Sequence, residues 1–99
     1  MATRFVDVDP RELRVPSSRS TGADLLKLHR QMAKFGSSSS GMPPIWAREA
    51  SDGVLVIMDG VTRATRIAKL APGDLVPVEI IASIRRPCGH LPRIGDFLP

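Results

Sequence analysis

A chain of 99 residues with 42% hydrophobic content makes one domain with a modest core. One cysteine excludes an internal disulfide framework and points to a reducing compartment, and no apolar run approaches the length of a membrane span. The net charge of +4, from eleven arginines and three lysines, suits contact with phosphate or carboxylate, whereas three Phe, one Trp and no Tyr leave little surface for base stacking. The stretch Met1–Asp7 lacks a signal-peptide core, so a cytoplasmic location without a membrane partner is expected, alone or as a domain of something larger.

Phe5-Val6-Asp7-Val8 alternates weakly and predicts a short first strand. Asp9-Pro10-Arg11-Glu12 carries a capping-box signature, which predicts one helical turn; Val15–Ser20 reads as loop. Thr21-Gly22-Ala23-Asp24 predicts a helix start with Thr21 as the cap. Leu25, Leu28, Met32 and Phe35 then share one face, flanked by Leu26, His29 and Ala33, while Lys27, Arg30, Gln31 and Lys34 are expected in solvent. His29 reads as a core-edge residue, and Gly36 as the left-handed residue that ends the helix. Ser37–Gly41 is a flexible loop by composition, with hydroxyl and amide donors for a phosphate as the sharper reading.

Ile45–Arg48 predicts a second strand, and Glu49–Gly53 a hairpin loop that returns antiparallel into Val54–Met58. Asp59-Gly60 breaks that apolar run, and Val61, Ala64, Ile67 and Ala68 recur at helical spacing until Ala71-Pro72-Gly73. Val76–Ile81 predicts the last strand, with Pro77 confining it to an edge or delaying its start. Residues 83–99 lack periodicity and read as an irregular basic, proline-containing tail after a domain spanning 1–82, with Ile84, Leu91, Ile94, Phe97 and Leu98 as the side chains through which part of it is expected to pack. The order of elements predicts a small α+β domain with a mixed sheet and two main helices.

The strand-to-helix turn at Gly60 is the candidate site. A helix N-terminus offers unpaired N–H groups and a partial positive charge, and Arg63 and Arg66 stand one turn apart beside it. Gly60, Val61, Thr62, Arg63 and Arg66 are therefore the candidate phosphate-binding residues. The competing reading of Arg63 is an ion pair with Asp59, and of Arg66 a solvated basic face shared with Lys69. Asp59 is a candidate catalytic residue or else a turn residue capping the helix. Lys69, Arg85 and Arg86 are candidate nucleic-acid contacts. Cys88 and His90 are too few for a structural zinc set and poorly spaced for a nucleophile pair, so no metal ligands are assigned.

The pattern from Phe5 to Ala82 resembles the ParB N-terminal-like domain, the fold shared by chromosome-partitioning ParB proteins and sulfiredoxin. Asp9-Pro10, the segment Gly41-Met42-Pro43-Pro44-Ile45-Trp46-Ala47-Arg48, Met58–Arg66 and Val76-Pro77-Val78 carry the likeness. In that family a glycine followed by basic residues binds nucleotide phosphates, which the resemblance places on Gly60 and Arg63. Thr62 stands where the family has an additional Arg or His, and Val61 where sulfiredoxin has its cysteine, so sulfiredoxin chemistry is not expected. Members include nucleases, nucleotide hydrolases, a free-amino-acid kinase and toxin modules. The resemblance implies a nucleotide or nucleic-acid phosphate ligand, with Mg2+ and a nucleoside triphosphate as the cofactor set if phosphoryl or phosphodiester transfer occurs. The alternative is a non-catalytic domain that binds DNA or a protein partner and keeps the fold without the chemistry.

Overall fold

Four strands and two helices form the frame of the chain, which a computed structural model describes over residues 3–98. In order they are β1 (Arg4–Val8), α1 (Leu25–Phe35), β2 (Ile45–Ala50), β3 (Leu55–Asp59), α2 (Val61–Leu70) and β4 (Val76–Ile84), with 3-10 turns at Pro10–Glu12, Ser17–Arg19 and Ile94–Phe97. The sheet order is β1-β4-β2-β3. β4 runs antiparallel to β1 and parallel to β2, and β2 and β3 form the antiparallel hairpin. This is the small mixed-sheet α+β fold expected from the sequence. No helix among the described residues is long and apolar enough to cross a membrane.

Local chemistry accounts for most boundaries. Asp9 accepts a hydrogen bond from the Arg11 N–H at 3.0 Å, and Pro10 fills the first position of the turn, where a missing N–H costs nothing. Gly53 closes the hairpin by donating to the Ala50 carbonyl at 3.0 Å. Val61, Ala64, Ile67 and Ala68 turn one face of α2 into the core, against Ile45, Ala47, Ile57, Val76 and Val78 of the sheet.

The structure departs from the sequence reading in several places. β4 is an interior strand rather than an edge. Pro77 is tolerated because β2 begins pairing only at Val78, so the missing donor falls ahead of that ladder, opposite Asp7 of β1. α1 starts at Leu25, capped by Asp24, whose carboxylate accepts from the Lys27 N–H at 3.0 Å; Thr21 lies in the preceding turn. That hydrogen bond is the main reason the Asp24 carboxyl is held below its ordinary range.

α1 packs chiefly on α2, so of its apolar face only Leu28 is buried. Leu25, Leu26, Phe35 and His29 are exposed, whereas Gln31, expected in solvent, is half-buried.

Finally, the segment after Ala82 packs through Ile84, Leu91, Ile94 and Leu98, as expected, but it is part of the sheet and core rather than a tail outside the domain. β4 continues through Ile84, and Ile94 is completely buried in the main core beside Leu13 and Val15. Each such side chain is worth about 1.5–3 kcal/mol when fully buried. Leu13–Val15, which showed no strand pattern, adds a rung along β3: the Arg14 N–H donates to the Leu55 carbonyl at 2.8 Å, and Ile57 N–H donates to the Arg14 carbonyl at 3.0 Å. The final segment bonds to its other side, Val15 to Pro92 at 2.8 Å and Ile94 to Leu13 at 2.9 Å. Ala50, Val56 and Cys88 form a second, small cluster. Val56 and Ile57 are successive strand residues and point to opposite faces, so this cluster covers one end of the sheet on the side away from α2.

Candidate functional site

Gly60 joins β3 to α2 with φ 115°, a conformation that side chains rarely adopt. The space next to it is already filled. A Cβ built on Gly60 would stand 3.0 Å from Arg63 Nη2 and 3.1 Å from Ile45 Cγ1. The glycine therefore admits the protein's own guanidinium rather than leaving a gap for a ligand. No side chain caps the first turn of α2. Val61 is a core residue, available only through its backbone, and Thr62 is half-buried on the same turn.

Arg63 lies across that turn. Its Nη2 donates to the Pro44 carbonyl at 3.2 Å and to Asp59 Oδ2 at 3.4 Å. The ion-pair reading of Arg63 thus describes part of its surroundings, but a weak part. The Asp59 side chain is 64% exposed, and pairs of that kind contribute roughly 0–1 kcal/mol. Arg63 Nε is buried and has no hydrogen-bond partner.

Arg66 is the larger surprise. The competing reading puts it on a solvated face, yet it is 2% exposed. Its Nη1 donates to the carbonyls of Gly36 at 2.8 Å and Ser38 at 2.7 Å, and its Nη2 meets Met42 Sδ at 3.5 Å. The guanidinium carbon lies 5.3 Å from the centre of the Phe35 ring. These contacts seat the cation at the negative end of α1 and tie down the loop that follows. No carboxylate among the described residues pairs with it. Removing a guanidinium from water without a counter-charge costs several kcal/mol, and that burial pulls its pKa below the ordinary arginine value.

The two arginines border a cavity of about 240 Å³ between α1, the serine loop and α2. Gln31, Phe35, Ser38, Ser40, Met42 and Pro43 complete most of its wall, and no carboxylate lines it among the described residues. Here the serine loop does face the basic turn. Gln31, Phe35, Met42 and Pro43 were not legible as site residues: they sit on two elements whose docking onto α2 leaves no local pattern. The i, i+4 spacing of Gln31 and Phe35 was the one available signal.

The remaining candidates lie elsewhere. Lys69 borders a separate cavity of about 150 Å³ with Leu25, Phe97 and Leu98. Arg85 borders another, of about 430 Å³, with Arg4 and Glu49, which are themselves paired at 2.9 Å. Arg86 lies with Cys88 and His90 at a third, of about 100 Å³. No group of three His, Cys, Asp or Glu side chains is placed to hold a metal ion among the described residues. Among the described residues Asp59 is the one carboxylate paired with the site arginines, and it faces a cation, so the residues fit Mg2+ poorly. No protein-family model matches this chain, and no curated protein matches its sequence.

Proposed function

We propose that this chain is a ParB-like domain that binds the phosphate of a nucleotide or nucleic acid in the cavity between α1, the Ser38–Pro43 loop and α2. The observation that carries the reading is the buried charge of Arg66, which no carboxylate among the described residues compensates, in a cavity that it shares with Arg63. A bound anion supplies the missing counter-charge, and charge-assisted bonds to guanidinium nitrogens are among the stronger polar contacts available to a protein. Arg63 adds a second cation at the mouth of α2, where the helix dipole acts in the same direction.

Binding is favoured over catalysis. Asp59 is exposed and paired with Arg63, an arrangement that orients the guanidinium rather than providing a poised base. Titration of inorganic phosphate and nucleoside phosphates, with and without magnesium, into wild type, Arg63→Ala and Arg66→Met tests the reading. Binding by wild type that weakens in both variants supports it, and equally negligible binding by all three rejects it.

A second reading, a protein-interaction surface, rests on one observation. Phe5 and Trp46 flank Glu79 on the open face of the sheet, and both are exposed, as is Met58 nearby. It predicts association that Trp46→Ser abolishes and salt leaves unchanged, whereas DNA binding through the basic residues falls steeply with salt.

A further inference from the structure

The sheet ends differently on its two sides. Beyond β3, Arg14 exchanges backbone bonds with Leu55 and Ile57, and the final segment bonds in turn to Leu13 and Val15, so that edge is covered. β1 is the other edge, and among the described residues no backbone bond is made beyond it. Pro77 fixes which of its atoms point outward. Proline has no N–H, so the pair Asp7–Pro77 is one in which neither residue bonds the other. The two kinds of pair alternate along an antiparallel ladder, so Phe5 and Asp7 both turn their N–H and C=O away from β4. Both side chains are exposed on one face, opposite to Val6 and Val8, which pack on the core. The strand carries no proline, lysine or bulge to keep it from pairing.

Charge decides what fits this edge. Asp7 makes no ion pair among the described residues. A second copy laid antiparallel about a two-fold axis sets odd-numbered residues against odd-numbered ones, because paired side chains share a face. Asp7 then meets Thr3, Phe5 or another Asp7. The basic residue of the strand, Arg4, lies on the other face and is held by Glu49 at 2.9 Å. The edge therefore does not answer its own charge, and a foreign strand with a cation in the right place does.

We infer that the β1 edge accepts an extended segment of another protein as an added antiparallel strand, with Lys or Arg opposite Asp7 and an apolar residue opposite Phe5. Main-chain bonds at Phe5 and Asp7 hold the segment, and Asp7 sets the charge preference. No residue of the arginine cavity takes part, so this inference is independent of the phosphate reading.

The test is an NMR titration with blocked strand-forming peptides that carry either arginine or glutamate two places before an isoleucine. In the free protein the amides of Phe5 and Asp7 are expected to exchange with solvent rapidly, and those of Val6 and Val8 slowly. The arginine peptide is expected to slow exchange at Phe5 and Asp7. It binds about threefold more tightly than the glutamate peptide, the worth of one opposite-charge cross-strand pair. Asp7→Asn removes that preference and Asp7→Lys reverses it; the residue is exposed, so both variants retain the fold. N-methylation of the peptide arginine, whose N–H meets the Asp7 carbonyl, abolishes binding, whereas N-methylation of the residue after it leaves binding intact. Unchanged exchange at Phe5 and Asp7 with either peptide, equal affinity of the two peptides for wild type, or a preference that Asp7→Lys does not reverse overturns the inference. So does an N-methylated arginine peptide that binds as well as its parent, or a dimer of the chain alone that protects the same two amides. None of these results bears on anion binding at Arg66.

Discussion

Replacing Arg66 with methionine separates what that side chain does for the fold from what it does for a ligand. Its two hydrogen bonds to the Gly36 and Ser38 carbonyls, at 2.8 and 2.7 Å, involve a charged donor. Such bonds contribute about 1.5–3 kcal/mol each, and the Phe35 ring at 5.3 Å adds about 1 kcal/mol. Against this stands the several-kcal/mol cost of desolvating an unpaired guanidinium. The terms nearly cancel, and methionine refills much of the volume, so Arg66→Met is expected to lower stability by only about 1–2 kcal/mol.

The ligand effect is expected to be all or nothing by comparison. Inorganic phosphate at about ten times its dissociation constant stabilises a binding protein by about 1.4 kcal/mol, which raises the melting temperature of a domain this size by about 5–10 °C. Thermal melts with phosphate replacing chloride at constant ionic strength read both quantities at once. The wild type is expected to show the rise and the variant to lack it. Equal rises in the two proteins refute the reasoning, because the stabilisation then arises from general salt effects or from other sites.

Gly60→Ala forces a left-handed backbone on alanine and drives its Cβ against Arg63 and Ile45, so urea unfolding is expected to show a loss of about 1–3 kcal/mol. Ile94→Ala is expected to cost about 2–5 kcal/mol in the same assay, since this residue from the final segment is wholly buried; a change under about 0.5 kcal/mol contradicts that packing. The Asp96 carboxyl is held below its ordinary range chiefly by the Arg93 N–H, which donates to it at 2.8 Å, and secondarily by the Arg93 side chain. Its folded pKa therefore lies below its unfolded one, and its contribution is complete above about pH 4 and lost as pH falls through the folded value. Urea midpoints are expected to decline below about pH 4, and Asp96→Asn to make that decline shallower.

The features legible in the sequence are those written in local chemistry. The Asp59-Gly60 break, the apolar spacing of Val61, Ala64 and Ile67, and the stop at Pro72-Gly73 mark α2 without any tertiary information. The hairpin and the short turn after Asp9 are visible for the same reason. Long-range packing leaves no such trace. Arg66 is one helical turn from Arg63 and looks like a solvent residue, until the loop after α1 folds over it and contributes two carbonyls. Pro77 suggests an edge strand because the late start of β2 beside it depends on the register of a distant segment. Leu13, Val15 and Ile94 enter the core singly, from stretches too short to display a period. Of the wall of the candidate cavity, the residues on α2 and the serine loop were therefore readable, and Gln31, Phe35, Met42 and Pro43 were not.

The placement of β4 has a consequence for how the chain folds. Arg4 pairs with Ile80, so β1 is synthesised well before β4, the strand that gives it a neighbour. The β2–β3 hairpin and α2 can close early from nearby contacts, while β1 remains an unpaired edge throughout that interval. Synthesis that stalls before residue 76 would release the hairpin, both helices and an unpaired β1, ready to pair with a neighbouring molecule.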